Sequence, residues 1–258
     1  MYEYRGLQDI IFVSLYCGVA FLAVVACLYL LFRRRNVFAD DVRSSRVLRR
    51  WTAALMAAMA ASHVWWYAVG QWWLTDDWLV RTILVIMLDH STLVPLVMGV
   101  LLWMLQDHRR PLWPWLVVQS PVVMFAVVGM GERCWFYGYT LPHYWQLGTI
   151  AVFVVYYIFA LRQYGRWLRD NYADLEHKEV WQSLAFAVVL FVVYSVYTSN
   201  MGEMMREYLS QVLTLVIIGF LVWRVETLQE LESEEDMDKG VPLMGQKSHK
   251  SNQIEQKK

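Results

Sequence analysis

An acid, a histidine and a hydroxyl group follow one another inside an apolar stretch of the sequence, at Asp89, His90 and Ser91. Ionisable side chains at bilayer depth are costly unless they face a bundle interior or water, so they mark candidate functional positions. His63 lies in the preceding apolar stretch, which should run antiparallel to the stretch that holds Asp89. We therefore expect these four residues to form a candidate polar core, with His63 as the partner of Asp89.

Three interpretations of this polar core remain open. A carboxylate and an imidazole can act as a titratable pair in ligand sensing or proton-linked transport, because histidine changes charge near neutral pH. Two histidines on neighbouring helices can also ligate haem. The third interpretation is structural: interhelical hydrogen bonds that hold helices together, each worth about 0.6 kcal/mol in a membrane.

The composition indicates where such a polar core would lie. The chain has 258 residues, of which 58% are hydrophobic, 16% aromatic and 18% charged. An average soluble domain is roughly half apolar and about a quarter charged. The sequence therefore predicts a protein in contact with membrane lipid.

Apolar runs long enough for transmembrane helices occur along most of the chain. A helix needs about 20 apolar residues to cross the hydrocarbon core. We expect an all-α integral membrane protein whose residues 1–229 form a seven-transmembrane helix bundle; six spans with an interfacial last run are the alternative. The predicted spans are 10–32, 51–74, 79–105, 112–130, 144–161, 181–198 and 208–223.

The distribution of Lys and Arg predicts the orientation of this bundle. If the seven runs alternate in direction, 19 of the 23 basic residues fall on one side and four on the other. Loops that stay in the cytoplasm carry the excess of positive charge. We therefore expect the N-terminus outside the cell and the C-terminus in the cytoplasm.

Several kinds of chemistry have no signature in the sequence. The seventh run lacks a lysine that could carry a retinal Schiff base, and P-loop, HExxH and GxSxG motifs are absent. The three cysteines show no metal-binding spacing. We expect no catalysis and no cofactor; the alternative is a small transporter or a haem-binding redox protein that uses Asp89, His90 and His63.

Further polar side chains in the fifth to seventh runs have two interpretations. They line a cavity that opens outward between helices, where small molecules often bind, or they are ordinary polar positions near a membrane interface. These residues are Gln146, Thr149, Tyr194, Ser195, Tyr197, Gln211 and Thr214.

Two groups of residues are candidates for signal output. In the last run, Leu221, Val225 and Leu228 are spaced four and three apart, which places them on one face of a helix. Between Gly219 and Leu231 no further Gly or Pro occurs, so we expect this helix to continue past the membrane surface. The second group lies in the charged loop between the fifth and sixth runs: Asp174, Glu176, His177 and Lys178.

The segments "YGRWLRDNYADLEHKEVWQSL" and "VWRVETLQELESEED" resemble the membrane-embedded half of bacterial AraC-type regulators. The resemblance covers nearly the whole chain, and its most specific parts are residues 174–180 and 226–229. It implies a sensor bundle in the bacterial inner membrane that responds to a small-molecule or envelope signal. It also implies a downstream helix-turn-helix domain that reads DNA.

The C-terminal part of the sequence departs from this family pattern. Residues 230–258 read as an acidic linker and a disordered cytoplasmic tail, because they are polar and lack periodicity. The two helix-turn-helix units of the family do not follow, so we expect a module truncated before its output domain. We expect no direct binding of nucleic acid by this chain; a separate cytoplasmic output protein or a second copy is the expected partner.

Overall fold

The computed structural model describes residues 7–33, 44–72, 78–106, 110–129, 135–171, 180–198 and 203–231. Within these ranges all regular structure is α-helical. The seven helices are α1 (Leu7–Phe32), α2 (Arg46–Trp72), α3 (Trp78–Met104), α4 (Trp113–Gly129), α5 (Trp135–Asn171), α6 (Trp181–Thr198) and α7 (Glu203–Thr227).

Each predicted apolar run overlaps one of these helices, which confirms the all-helical prediction for the described residues. The largest difference is α5, whose 37 residues extend well beyond the predicted range 144–161. Its second half stays helical because a buried row continues at helical spacing through Tyr157, Ala160, Tyr164 and Leu168. The apolar run ends near Leu161, but the packed face does not.

Four described segments are long and apolar enough to cross a membrane: Ile10–Phe32, Val85–Met104, Pro142–Asn171 and Tyr208–Thr227. These segments agree with the prediction of a helical membrane protein. The α4 helix has 17 residues, which is below the roughly 20 needed for a perpendicular crossing. The α2 helix combines its apolar residues with Arg46, Arg49 and Arg50 in its first turns.

Every helix packs against the next helix along the chain, and α7 returns to pack against α1 and α2. The α3 helix also contacts α5 and α6, so it has more helical neighbours than any other. This position explains why buried residues follow one another at its end, from Met98 to Leu102. The polar residues of α3 are thereby placed among other helices.

The outward faces of several helices are apolar. The α1 helix buries a narrow row of mostly small residues, Val19, Ala23, Ala26 and Leu30, at spacings of four, three and four. Small residues at such intervals let helices approach closely. The rest of its surface exposes large hydrophobic side chains such as Phe21, which is 70% exposed, and this is typical of a helix surrounded by lipid.

Candidate functional site

The carboxylate of Asp89 accepts hydrogen bonds from three side chains of α2. Ser62 Oγ donates to Oδ1 over 2.7 Å, and the indole of Trp65 donates to the same oxygen over 3.0 Å. The indole of Trp66 donates to Oδ2 over 2.9 Å. These three donors lie at positions i, i+3 and i+4, which share one face of a helix, and we call them with Asp89 the Asp89 cluster.

The hydrogen bonds of His63 go to residues other than Asp89, although the two side chains lie close enough to interact electrostatically. Its Nε2 lies 3.0 Å from Gln211 Oε1 of α7, and its Nδ1 lies 2.7 Å from the Met59 carbonyl oxygen. The ring also packs against Tyr16 of α1, with centroids 4.6 Å apart. Adjacent helical residues differ by about 100° in direction, so when Ser62 faces α3, His63 faces α1 and α7.

The arrangement around His63 also bears on haem binding. Both ring nitrogens of His63 are within hydrogen-bond distance of oxygen atoms of the protein. Ligation of iron by this residue would require the loss of one of these contacts. Among the described residues, no group of three or more His, Cys, Asp or Glu side chains is placed to hold a metal ion.

His90 and Ser91 are placed differently from their neighbour Asp89. His90 is 7% exposed and lies close enough to His143 of α5 to interact with it electrostatically. Ser91 is bound within its own helix, because its Oγ donates to the Leu88 carbonyl oxygen over 3.0 Å. Each of the four predicted core residues therefore has its own set of contacts, and of the four it is Asp89 that accepts from the α2 donors.

The structure contains a second polar cluster that the sequence analysis missed. Arg49 of α2 forms an ion pair with Glu226 of α7, with 2.9 Å between Nη1 and Oε1, and the two side chains are 8% and 0% exposed. The same Nη1 donates to Ser44 Oγ over 3.0 Å. Arg49 also donates to two carbonyl oxygens at the end of α1, from Nε to Leu30 over 3.4 Å and from Nη2 to Arg33 over 2.6 Å.

This Arg49 cluster joins the end of α1, the start of α2 and the end of α7. A sequence signal for it does exist: Glu226 is the first acid after the apolar run 208–223. Buried ion pairs need such additional hydrogen bonds to offset the loss of hydration. The sequence has seven arginines between residues 33 and 50. Only the tertiary structure shows that Arg49 is the one that pairs with Glu226.

Gln106, just after α3, binds the backbone that follows α7. Its Nε2 donates to the Gln229 carbonyl oxygen over 2.7 Å, and its Oε1 accepts from the Leu231 amide over 2.7 Å. The α7 helix ends at Thr227, four residues past the predicted span end at Trp223 and short of Leu231. The amide and carbonyl groups of this segment are instead satisfied by the Gln106 side chain.

The predicted output stripe faces the protein interior. Leu221, Val225 and Leu228 are 1%, 0% and 0% exposed and belong to the main hydrophobic core. They hold the end of α7 against the bundle. The other predicted output residues, Asp174, Glu176, His177 and Lys178, lie outside the described residues, as do residues 232–258 of the predicted linker and tail.

Among the other polar residues, Gln146, Thr149 and Gln211 are buried, and the side chains of Tyr194, Ser195 and Tyr197 lie outside the described part. Gln146 is 0% exposed, and neither atom of its amide group has a hydrogen-bond partner among the described residues. Gln119 of α4, which the sequence analysis did not single out, is 2% exposed, and its amide atoms also have no partner among the described residues. Gln119, Gln146, Thr149 and Gln211 are thus buried inside the bundle and not on an outer rim.

Comparison of the chain with models of protein families, with curated proteins and with solved structures gives no match. The resemblance to AraC-type regulators therefore stays a prediction. The described residues define an all-helical protein with helices able to cross a membrane, a partly buried polar cluster at Asp89 and a buried one at Arg49. The Asp89 and Arg49 clusters are separated by 13 residues of α2, or about 20 Å along that helix.

Proposed function

We propose that this protein is a non-catalytic sensor module of the bacterial inner membrane, with seven spans, an external N-terminus and a cytoplasmic C-terminus. The single observation that carries the proposal is the binding of the end of α7, and of the chain just after it, to the rest of the bundle. Glu226 is held by Arg49 of α2, and the backbone at Gln229 and Leu231 is held by Gln106. The segment through which a signal would leave the bundle, the end of α7 and the residues after it, is thus attached to α2 and to the end of α3.

The signal enters, in this proposal, at the level of the Asp89 cluster and His63. His63 and the three donors of the Asp89 cluster lie on α2, and Arg49 lies near the other end of the same helix. A change in the hydrogen bonds of Asp89 shifts α2 against α3, and these same helices hold the end of α7 through Arg49 and Gln106. Two discrete arrangements of such packed elements are the physical basis of coupling between distant sites.

The orientation is supported by the arginine count of the sequence and tested by reporter fusions. A reporter that is active only in the cytoplasm should be active when fused after Glu235 and silent when inserted beside Gly138. The reverse pattern refutes the orientation. Membrane fractionation of the first fusion in a bacterial host tests the predicted location.

Coupling is tested by the accessibility of the segment after α7. A cysteine at the exposed position Glu230, in a chain with its natural cysteines replaced by alanine, is labelled with a water-soluble maleimide. Gln106→Leu removes the direct contacts and should speed labelling. Asp89 is distant from Glu230, but Asp89→Asn should still change the labelling rate about twofold to thirtyfold. This range corresponds to the coupling energies of about 0.5–2 kcal/mol found between distant sites.

The matched control is Ser120→Ala, because the Ser120 hydroxyl is exposed and binds only within α4. A sensor module requires that Asp89→Asn alter the labelling rate while Ser120→Ala leaves it unchanged. If Gln106→Leu speeds labelling and Asp89→Asn has no effect, the Asp89 cluster is a structural contact and the sensing proposal fails.

A further inference from the structure

An apolar groove of about 470 Å³ lies on the surface between α4 and α5. The indole of Trp145 on α5 donates to the Val118 carbonyl oxygen of α4 over 2.9 Å and bridges the two helices there. Gly148 also lines the groove, and a Cβ atom at this position would meet no other atom within 4 Å. The missing side chain at residue 148 therefore leaves open space between the helices.

The groove opens onto an exposed row of α5 that continues toward the end of this helix. Gly148, Val152, Val155 and Phe159 are exposed and spaced four, three and four apart. Residues at such spacings lie on one helix face. An alkyl chain placed in the groove can therefore continue along an apolar surface without meeting a polar side chain.

Positive charge follows this apolar row on the same face. Arg162 and Arg166 are exposed and continue the spacing, because Arg162 follows Phe159 by three residues and Arg166 follows Arg162 by four. Arg110, which precedes α4, also reaches this part of α5, with Nη2 at 3.2 Å from the Ala160 carbonyl oxygen and 3.1 Å from Gln163 Oε1. Asp170 is the one acid in the described part of α5, and it lies beyond these three arginines.

We propose that this surface binds one anionic phospholipid, with an acyl chain in the α4–α5 groove and the phosphate at Arg110, Arg162 and Arg166. The spacing fits, because Arg162 lies 10 residues after Val152, or about 15 Å along the helix. Guanidinium groups match the geometry of phosphate oxygens. The inference rests on the proposed orientation, which places these arginines at the cytoplasmic headgroup region, where anionic lipids attract basic residues.

The test compares two lipids that share their acyl chains, dioleoyl phosphatidylglycerol and dioleoyl phosphatidylcholine. Each is titrated into the purified full-length chain in detergent, and bound lipid is counted by native mass spectrometry. The unmodified chain should bind phosphatidylglycerol more tightly. Arg162→Gln and Arg166→Gln should each lower that affinity roughly fivefold, the effect of one basic residue near an anionic headgroup, and leave phosphatidylcholine binding nearly unchanged.

The groove is tested by filling it. Gly148→Leu should weaken the binding of both lipids, since it occupies the space of the acyl chain, and Gly148→Ala should give a smaller loss in the same direction. Two matched control variants should bind both lipids with the affinities of the unmodified chain. Arg50→Gln removes an exposed arginine of α2, and Gly219→Leu adds a side chain at an open, exposed position of α7.

Equal affinity of the unmodified chain for the two lipids overturns the headgroup assignment, as does an Arg50→Gln loss as large as that of Arg162→Gln. Unchanged binding by both Gly148 variants overturns the groove assignment. Binding in detergent does not depend on orientation in a cell. If the reporter fusions show the opposite activity pattern but the chain still prefers phosphatidylglycerol, the proposed orientation is refuted and the lipid site is not. If the fusions show the expected pattern but that preference is missing, the lipid site is refuted and the orientation is not.

Discussion

Replacing either partner of the buried Arg49–Glu226 ion pair should destabilise the bundle, and the two replacements should differ in size. Removal of one partner of a buried ion pair costs about 3–5 kcal/mol, because the remaining charge loses its compensation. After Glu226→Leu, Arg49 keeps its contacts to Ser44 Oγ and to two carbonyl oxygens of the α1 end. The cost of Glu226→Leu should therefore lie near 3 kcal/mol, the low end of that range.

The Arg49→Met variant should be more damaging. It removes the ion pair together with the contacts to α1 and leaves a carboxylate that is 0% exposed. We expect a loss near 5 kcal/mol in the free energy of unfolding, the high end of the range for broken buried pairs. The double variant should cost less than the sum of the single losses, with a coupling energy of at least about 2 kcal/mol.

The assay is unfolding in mixed micelles at increasing dodecyl sulfate, followed by tryptophan fluorescence. Arg50→Met is the matched control, because Arg50 is the next residue on α2 and is exposed, and surface replacements usually change stability by less than about 0.5 kcal/mol. Strictly additive losses of the two single variants, or equal losses for Arg49→Met and Arg50→Met, would refute the reasoning.

Two further predictions concern packing in the same assay. A Cβ atom at Gly99 would lie 2.8 Å from the ring of Trp51, so Gly99→Ala should destabilise the protein by about 1–3 kcal/mol, whereas Gly219→Ala, in open space, should not. A gain of stability by Gly99→Ala would show that the indole ring moves aside freely. Gln146→Met should stabilise the protein by about 1–3 kcal/mol, because it removes a buried amide group that lacks partners among the described residues. Gln163→Met, at an exposed position of α5, should change little, and a loss of stability in Gln146→Met would show that its amide group is bonded.

The sequence alone determined the number of helices in the described residues and about half of their limits to within one residue. The predicted range 181–198 coincides with α6, and 112–130 differs from α4 by one residue at each end. Such apolar runs are local properties of the sequence. The length of an apolar stretch and the charged residues at its two ends can be read from that part of the sequence alone. The largest difference is in α5, whose second half is held by packing through Tyr164 and Leu168 rather than by continuous apolarity.

The tertiary structure decided which polar groups meet. The sequence identified Asp89 and His63 as unusual, but the rotation of each helix about its own axis determines their partners. A turn of about 100° separates Ser62, which binds Asp89, from His63, which binds Gln211. This rotation follows from the packing of whole helix faces, so no local pattern predicts it.

The residue at which α7 ends also depends on the tertiary structure. Its sequence permits a helix through Leu231, since neither Gly nor Pro interrupts it after Gly219. The side chain of Gln106, from a distant part of the chain, satisfies the backbone groups of Gln229 and Leu231 and holds the segment outside the helix. A helix end is fixed locally only when its capping groups are local; here the partner is 123 residues away from Gln229 in sequence.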